Sequence, residues 1–300
     1  MAVRDILVCL DSTAAGKTRL ELAFDLARTN KSHLIAVYTA AEVHAAGAAP
    51  IASGLPPTVL GPVSPDGARV IGGEPLITDR SAATVLPEAE QAAAIEQCFH
   101  QELSLRAVEG EWFQLSRNQL RELVQLAKTV DLTVLGQFPG NDSEGMTWLR
   151  PDDVLIDIGR PVLVVPCAGT FERLGTRALI AWDATREANR ALHDALPLLA
   201  GEAMVTVIHV GAHQADLDRD RPWLERVIRH LARYGINAQA EELLHSGAAI
   251  HDALLSRAAA LGADMIVAGA YHHSPLREGL LGGVSRALLA HMTIPVLMSH

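Results

Sequence analysis

The sequence predicts an α/β fold: two parallel five-stranded sheets with helices on both faces, one sheet in each half of a 300-residue chain. Three observations carry the prediction. Short runs of Val, Ile and Leu alternate with segments of helical periodicity along most of the chain. Those runs are apolar nearly throughout instead of at every second residue, the pattern of strands covered on both faces. The plan also occurs twice. Ile6-Leu7-Val8-Cys9-Leu10-Asp11 matches Ala178-Leu179-Ile180-Ala181-Trp182-Asp183, Asp131-Leu132-Thr133-Val134-Leu135-Gly136 matches Asp264-Met265-Ile266-Val267-Ala268-Gly269, and Arg160-Pro161-Val162-Leu163 matches Ile294-Pro295-Val296-Leu297. The repeat divides the chain into residues 1–168 and 169–300.

In the first half a strand over residues 5–10 stops at Asp11-Ser12, whose side chains suit a turn or a helix cap. A helix over 14–29 follows, with Leu20, Ala23, Phe24 and Ala27 spaced along one buried face. Residues 34–38 make the second strand. From 40 to 80 the pattern gives way to Gly, Pro, Ala and Ser, and Pro50, Pro56, Pro57, Pro62, Pro65 and Pro75 forbid a long helix or central strand. An extended surface loop is expected there, and it accounts for the greater length of the first copy. After Pro87 the reading is helix to about Val108, strand 111–115, helix 118–128, strand 132–135, an irregular stretch 138–150, helix 151–158 and a strand ending at Val165.

The second half reads strand 178–182 ending at Asp183, helix to about Leu199, strand 204–210, helix ending near Tyr234-Gly235, strand 238–244, helix 249–261 and strand 265–268. Its last stretch is the most informative. The strand ends at Gly269, a loop follows, and Gly282-Gly283-Val284-Ser285 opens a helical pattern that Pro295 closes before a final apolar run. Glycines before a helix let backbone N–H groups converge, and the helix's unpaired first-turn donors add partial positive charge. Such a loop suits an anion, phosphate above all. Sites in parallel sheets lie at the carboxyl ends of the strands, where Asp183, Val210, Gly269 and the Gly282 loop all fall.

The spacing Gly269, two residues, His272, nine residues, Gly282-Gly283 resembles the G-x2-G-x9-G-[S/T] nucleotide loop of universal stress proteins, with His272 in place of the second Gly and Gly283 in place of the Ser/Thr. With both copies laid out, nearly the whole chain outside residues 40–80 is similar to a tandem member of that family. The resemblance implies two flavodoxin-like domains, the adenine nucleotide α-hydrolase-like arrangement. It also implies nucleotide-binding roles for Asp183 at ribose or adenine, Val210 against the base, and Gly269, His272, Gly282, Gly283, Val284 and Ser285 around the phosphates. In the first half, the corresponding residues 136–144 lack that loop, and Pro151-Asp152-Asp153 puts carboxylates at the helix start, where an anion would sit. No nucleotide phosphate is expected there, and Asp11 is read as a turn residue.

Composition bounds the rest. Hydrophobic residues make up 49% of the chain and aromatics 4%, so Ala, Leu and Val pack a globular core. Net charge is −10, with acidic residues outnumbering basic ones in both halves, which excludes the basic footprint of a duplex-binding protein. No signal pattern and no apolar run of about 18 residues is present, so a cytoplasmic protein off the membrane is expected. Cys9, Cys98 and Cys167 are too few and scattered for a disulfide framework; Cys9 and Cys98 are read as apolar packers. His209, His213, His272, His273, His291 and His300 invite a metal reading, but no H-x3-H, H-x-E or C-x-x-C spacing supports one. His193, His230 and His251 are read as surface or capping residues.

No G-x-S-x-G elbow and no G-x4-G-K-[S/T] loop appear, so no catalytic residue is named and no cofactor is required, beyond ATP with Mg²⁺ as ligand. Three readings stay open. The first is a non-catalytic stress-response scaffold whose second domain binds ATP or another phosphate-bearing small molecule and whose output is an unidentified protein partner. The second is a ligand-independent module in which residues 162–165 and 296–298 pair the two domains within one chain, with two chains forming a homodimer. The third is a slow adenine-nucleotide hydrolase.

Overall fold

A computed structural model describes residues 2–40, 88–116, 119–138, 150–199, 201–244, 250–270 and 283–300. Residues 41–80 of the expected surface loop lie outside them, as do His272, His273, Gly282 and most of the stretch 136–144.

The first half runs β1 (Asp5–Leu10), α1 (Ala14–Asn30), β2 (His33–Ala40), α2 (Glu88–Arg106), β3 (Gly110–Ser116), α3 (Leu120–Thr129), β4 (Leu132–Gly136), α4 (Pro151–Ile158) and β5 (Val162–Val165). The second repeats it as β6 (Arg177–Ala181), α5 (Arg186–Ala195), β7 (Met204–Gly211), α6 (Gln214–Arg233), β8 (Asn237–Leu244), α7 (Ile250–Leu261), β9 (Met265–Gly269), α8 (Gly283–His291) and β10 (Val296–Ser299). Within each half the strands are parallel, in the orders β3-β2-β1-β4-β5 and β8-β7-β6-β9-β10. The halves share one ten-stranded sheet because β5 and β10 pair antiparallel, Val164 opposite Val296 and Leu163 opposite Leu297.

Alternate residues feed two cores. Ile6, Val8 and Leu10 join Phe24, Phe99, Leu192 and Leu224 on the face covered by α1, α2, α5 and α6. Leu7 and Cys9 join Leu123, Leu155, Leu254 and Leu288 under α3, α4, α7 and α8. Leu20, Ala23, Phe24 and Ala27 are all buried. Cys98, in contrast, is exposed, which corrects its reading as a packer. Phe99, Ala92 and Leu103 take the core side of α2, and Cys98 is turned about 100° away from Phe99 on the helix.

The repeated motifs act as fasteners. Asp131 takes the backbone N–H groups of Arg4 (2.7 Å) and Asp5 at the start of β1. Its counterpart Asp264 takes those of Gly175 (2.8 Å), Thr176 and Arg177 at the start of β6. Thr13 and Thr185 cap α1 and α5, each hydroxyl accepting from the N–H three residues on. The predicted helix to Leu199 instead stops at Ala195 and tightens into a 3-10 turn over Leu196–Leu198. Pro197 has no N–H to give to His193 O, so the α-helix cannot pass through it.

Because β5 and β10 run in opposite directions, the carboxyl ends of the two half-sheets lie at opposite edges of the molecule. Each half therefore carries its own site position.

Candidate functional site

At the carboxyl edge of the second half lies a cavity of about 290 Å³. Asp183 follows β6, Val210 and Gly269 close β7 and β9, and Gly283, Val284 and Ser285 are the first turn of α8; all six line this one cavity. Ile208, Ile250 and Leu254 add an apolar wall, and Thr185 and Glu187 a polar one, from the start of α5. Sequence reading missed Thr185 and Glu187. The Asp-x-Thr pattern in both copies, Asp11-Ser12-Thr13 and Asp183-Ala184-Thr185, was the available signal for the threonine.

The local chemistry separates packing from openness. A Cβ on Gly269 would come within 2.6 Å of Ala188 N and 2.7 Å of Glu187 C, so α5 packing alone demands glycine there. A Cβ on Gly283 would meet nothing within 4 Å among the described residues, and Gly283 itself lines the cavity. Asp183 is exposed and accepts from Thr185 N (3.2 Å) and Thr185 Oγ1 (2.6 Å), a turn-and-cap arrangement. Glu187 is buried and takes Arg186 Nε and Nη2 at 3.1 and 2.9 Å.

The corresponding position in the first half is occupied by the chain itself. Arg19, 4% exposed, reaches from α1 across the end of the sheet. Its Nε donates to Cys9 O and its Nη2 to Asp11 Oδ2, both at 2.6 Å. A Cβ on Gly136 would collide with Nη1, so glycine there is the seat for a guanidinium. Asp11 is thus more than the expected turn residue. Burial raises its carboxyl's pKa, but the Arg19 charge and the hydrogen bonds from Thr13 and Arg19 outweigh it and hold the carboxyl below the usual range. Counted from the capping threonines, Arg19 corresponds to Ala191 in the second half, whose methyl group is too short to reach across the sheet as Arg19 does. Asp183 makes no ion pair among the described residues, in contrast to Asp11.

Residues 176–300 match the model of the universal stress protein family. The second half of the chain belongs to this family. The fold of such proteins extends over the whole molecule: a universal stress protein from Archaeoglobus fulgidus superposes with a TM-score of 0.69 at 16% identity, covering 99% of this chain and 96% of that one. A functionally unknown protein from Pseudomonas aeruginosa superposes at 0.58 and 19% identity, covering 99% and 92%. No curated protein matches the chain by sequence. In the universal stress protein domain the described part of the glycine-loop reading, Gly269 and residues 283–285, is therefore gathered around one cavity.

The histidines fall in other places. His209 is buried in β7, its Nδ1 donating to Trp182 O at 2.9 Å. His193 and His230, read as surface residues, face each other across α5 and α6 with Nε2 atoms 3.2 Å apart. His251 and His291 stack with ring centroids 5.4 Å apart. Among the described residues no group of three or more His, Cys, Asp or Glu is placed to hold a metal, and no helix is long and apolar enough to cross a membrane. Cys9 is no nucleophile: burial, opposed in part by Arg19, pushes its thiol up to about 12.

Proposed function

We propose that the chain is a cytoplasmic stress-response protein without dedicated catalysis, whose universal stress protein domain binds ATP with Mg²⁺ or another phosphate-bearing small molecule. The observation that carries this reading is the cavity itself: Asp183, Val210, Gly269, Gly283, Val284 and Ser285, separated by up to a hundred residues of sequence, line it together. Ile208, Val210 and Leu254 supply a wall for a flat base, Asp183 and Thr185 supply acceptors for ribose hydroxyls, and the first turn of α8 supplies N–H donors for phosphate. None of the described lining residues is an activated nucleophile, which supports binding as the function with protein association as its output.

Thermal unfolding with and without ATP and Mg²⁺, on the natural chain and on Gly283→Asp, tests it. A ligand at a hundredfold its Kd stabilises by about 2.7 kcal/mol. The natural chain should show a rise of this order. Gly283→Asp has room for its side chain, places a carboxylate where phosphate would sit, and should show none. An unresponsive natural chain would favour the second reading, a ligand-independent pairing module, for which the β5–β10 junction is the supporting observation.

A further inference from the structure

Between α5 and α6, on the outer side of the second half, lies a groove of about 540 Å³ whose lining the nucleotide reading leaves unused. Trp223, Arg226, His230 and Arg233 form one stripe of α6 and face His193 of α5 across it. The stripe departs from the rest of the helix in two ways. Arg219 is paired with Asp216 and Asp220, Arg221 with Asp218 and Glu242, and Arg229 with Glu225, whereas Arg226 and Arg233 have no carboxylate partner among the described residues. Trp223, a large flat apolar side chain, is left 58% exposed beside them.

We propose that this groove is a second binding site, for a small aromatic carboxylate: a flat ring against Trp223 and an anionic head between Arg226 and Arg233. Planar guanidinium groups match a carboxylate in geometry, and an indole face offers stacking area that water covers poorly. The groove carboxylate Asp220 is held by Arg219 at 2.9 and 3.0 Å and lies 3.5 Å from His209 Nε2, and it pairs with neither Arg226 nor Arg233.

The facing histidines do not make this a metal site. His193 Nδ1 lies 2.7 Å from the Asn189 carbonyl and must donate to it, leaving Nε2 as an acceptor aimed at His230 Nε2. Positive charge on His230 is opposed by burial, then by His193, Arg233 and Arg226, and the Tyr234 ring packs on its other side. Of these, the guanidinium charges of Arg226 and Arg233 also repel a divalent cation and attract an anion. The site stands apart from the nucleotide cavity, although Trp182 lines both.

Titration of the whole chain with 2-naphthoate, followed by the ring C–H resonances of His193 and His230, tests the proposal, with 2-naphthol and 2-naphthyl phosphate as comparators. Saturable shifts at both histidines with a Kd of about 1 mM or tighter are expected. Affinity should fall by about tenfold or more in Arg226→Ala/Arg233→Ala, since a hydrogen bond to a charged group is lost at each position. It should also weaken in Trp223→Ala and persist in Gly283→Asp. All three altered α6 side chains are exposed, so these variants should fold. Equal binding of naphthol, tighter binding of the phosphate, full affinity in the double arginine variant, loss in Gly283→Asp, or no shift at all would each overturn it.

Discussion

Arg19 is the residue that makes the two halves chemically different. Its guanidinium completes a pair with Asp11 in which the side chains are 5% and 13% exposed, and removing one partner of so enclosed a pair strands the other charge. Arg19→Met should therefore cost about 3 kcal/mol in urea unfolding. The pH dependence follows from the direction of the Asp11 shift. A carboxyl held below its ordinary value in the folded protein stabilises it at neutral pH, and that contribution is lost as pH falls below about 4. Asp11→Asn should flatten this part of the stability profile, and an unchanged acid limb would contradict it. Little of this was legible in the sequence. Asp11 and Gly136 stood out as local turn and strand-end signals, but a side chain reaching from α1 across β1 to β4 leaves no trace in spacing. Cys98 misled for a related reason: helical periodicity in α2 is weak, and Phe99, not Cys98, takes the core position.

At the scale of elements, most of the strand and helix pattern could be read because buried parallel strands and one-faced helices write their periodicity directly into sequence. The boundaries that moved are those set by single groups, as at Pro197. The polar side-chain contacts between the halves were not legible. Gln137, just past β4, donates from Nε2 to Leu289 O (2.9 Å) and Ala290 O (3.1 Å), the last carbonyls of α8, while its Oε1 accepts from Cys167 N at 3.1 Å. Reciprocally, Arg190 of α5 donates to Gly159 O at the end of α4. Each half thus caps the terminal helix of the other. Since α8 begins at the cavity of the second half, Gln137→Ala should loosen it from the far end. About 1 kcal/mol of local protection in the last turn of α8 should be lost by amide exchange, with the amides of α3 unchanged.

At the scale of the whole molecule, two copies of one fold share a continuous sheet, and the junction is an antiparallel contact of three residue pairs with wholly buried side chains. The apolar runs at 162–165 and 296–298 made that pairing readable in advance. Leu163→Asp would bury an unpaired carboxylate opposite Leu297 and should cost on the order of 4 kcal/mol. Its chemical denaturation should then resolve into two transitions if this contact couples the halves. The antiparallel junction also sends the two site positions to opposite edges, one filled by Arg19 and one open. Calorimetric stoichiometry of ATP with Mg²⁺ on the intact chain tests that asymmetry. One nucleotide per chain is expected, lost in Gly283→Asp. Two per chain, none, or binding that survives in Gly283→Asp would contradict it.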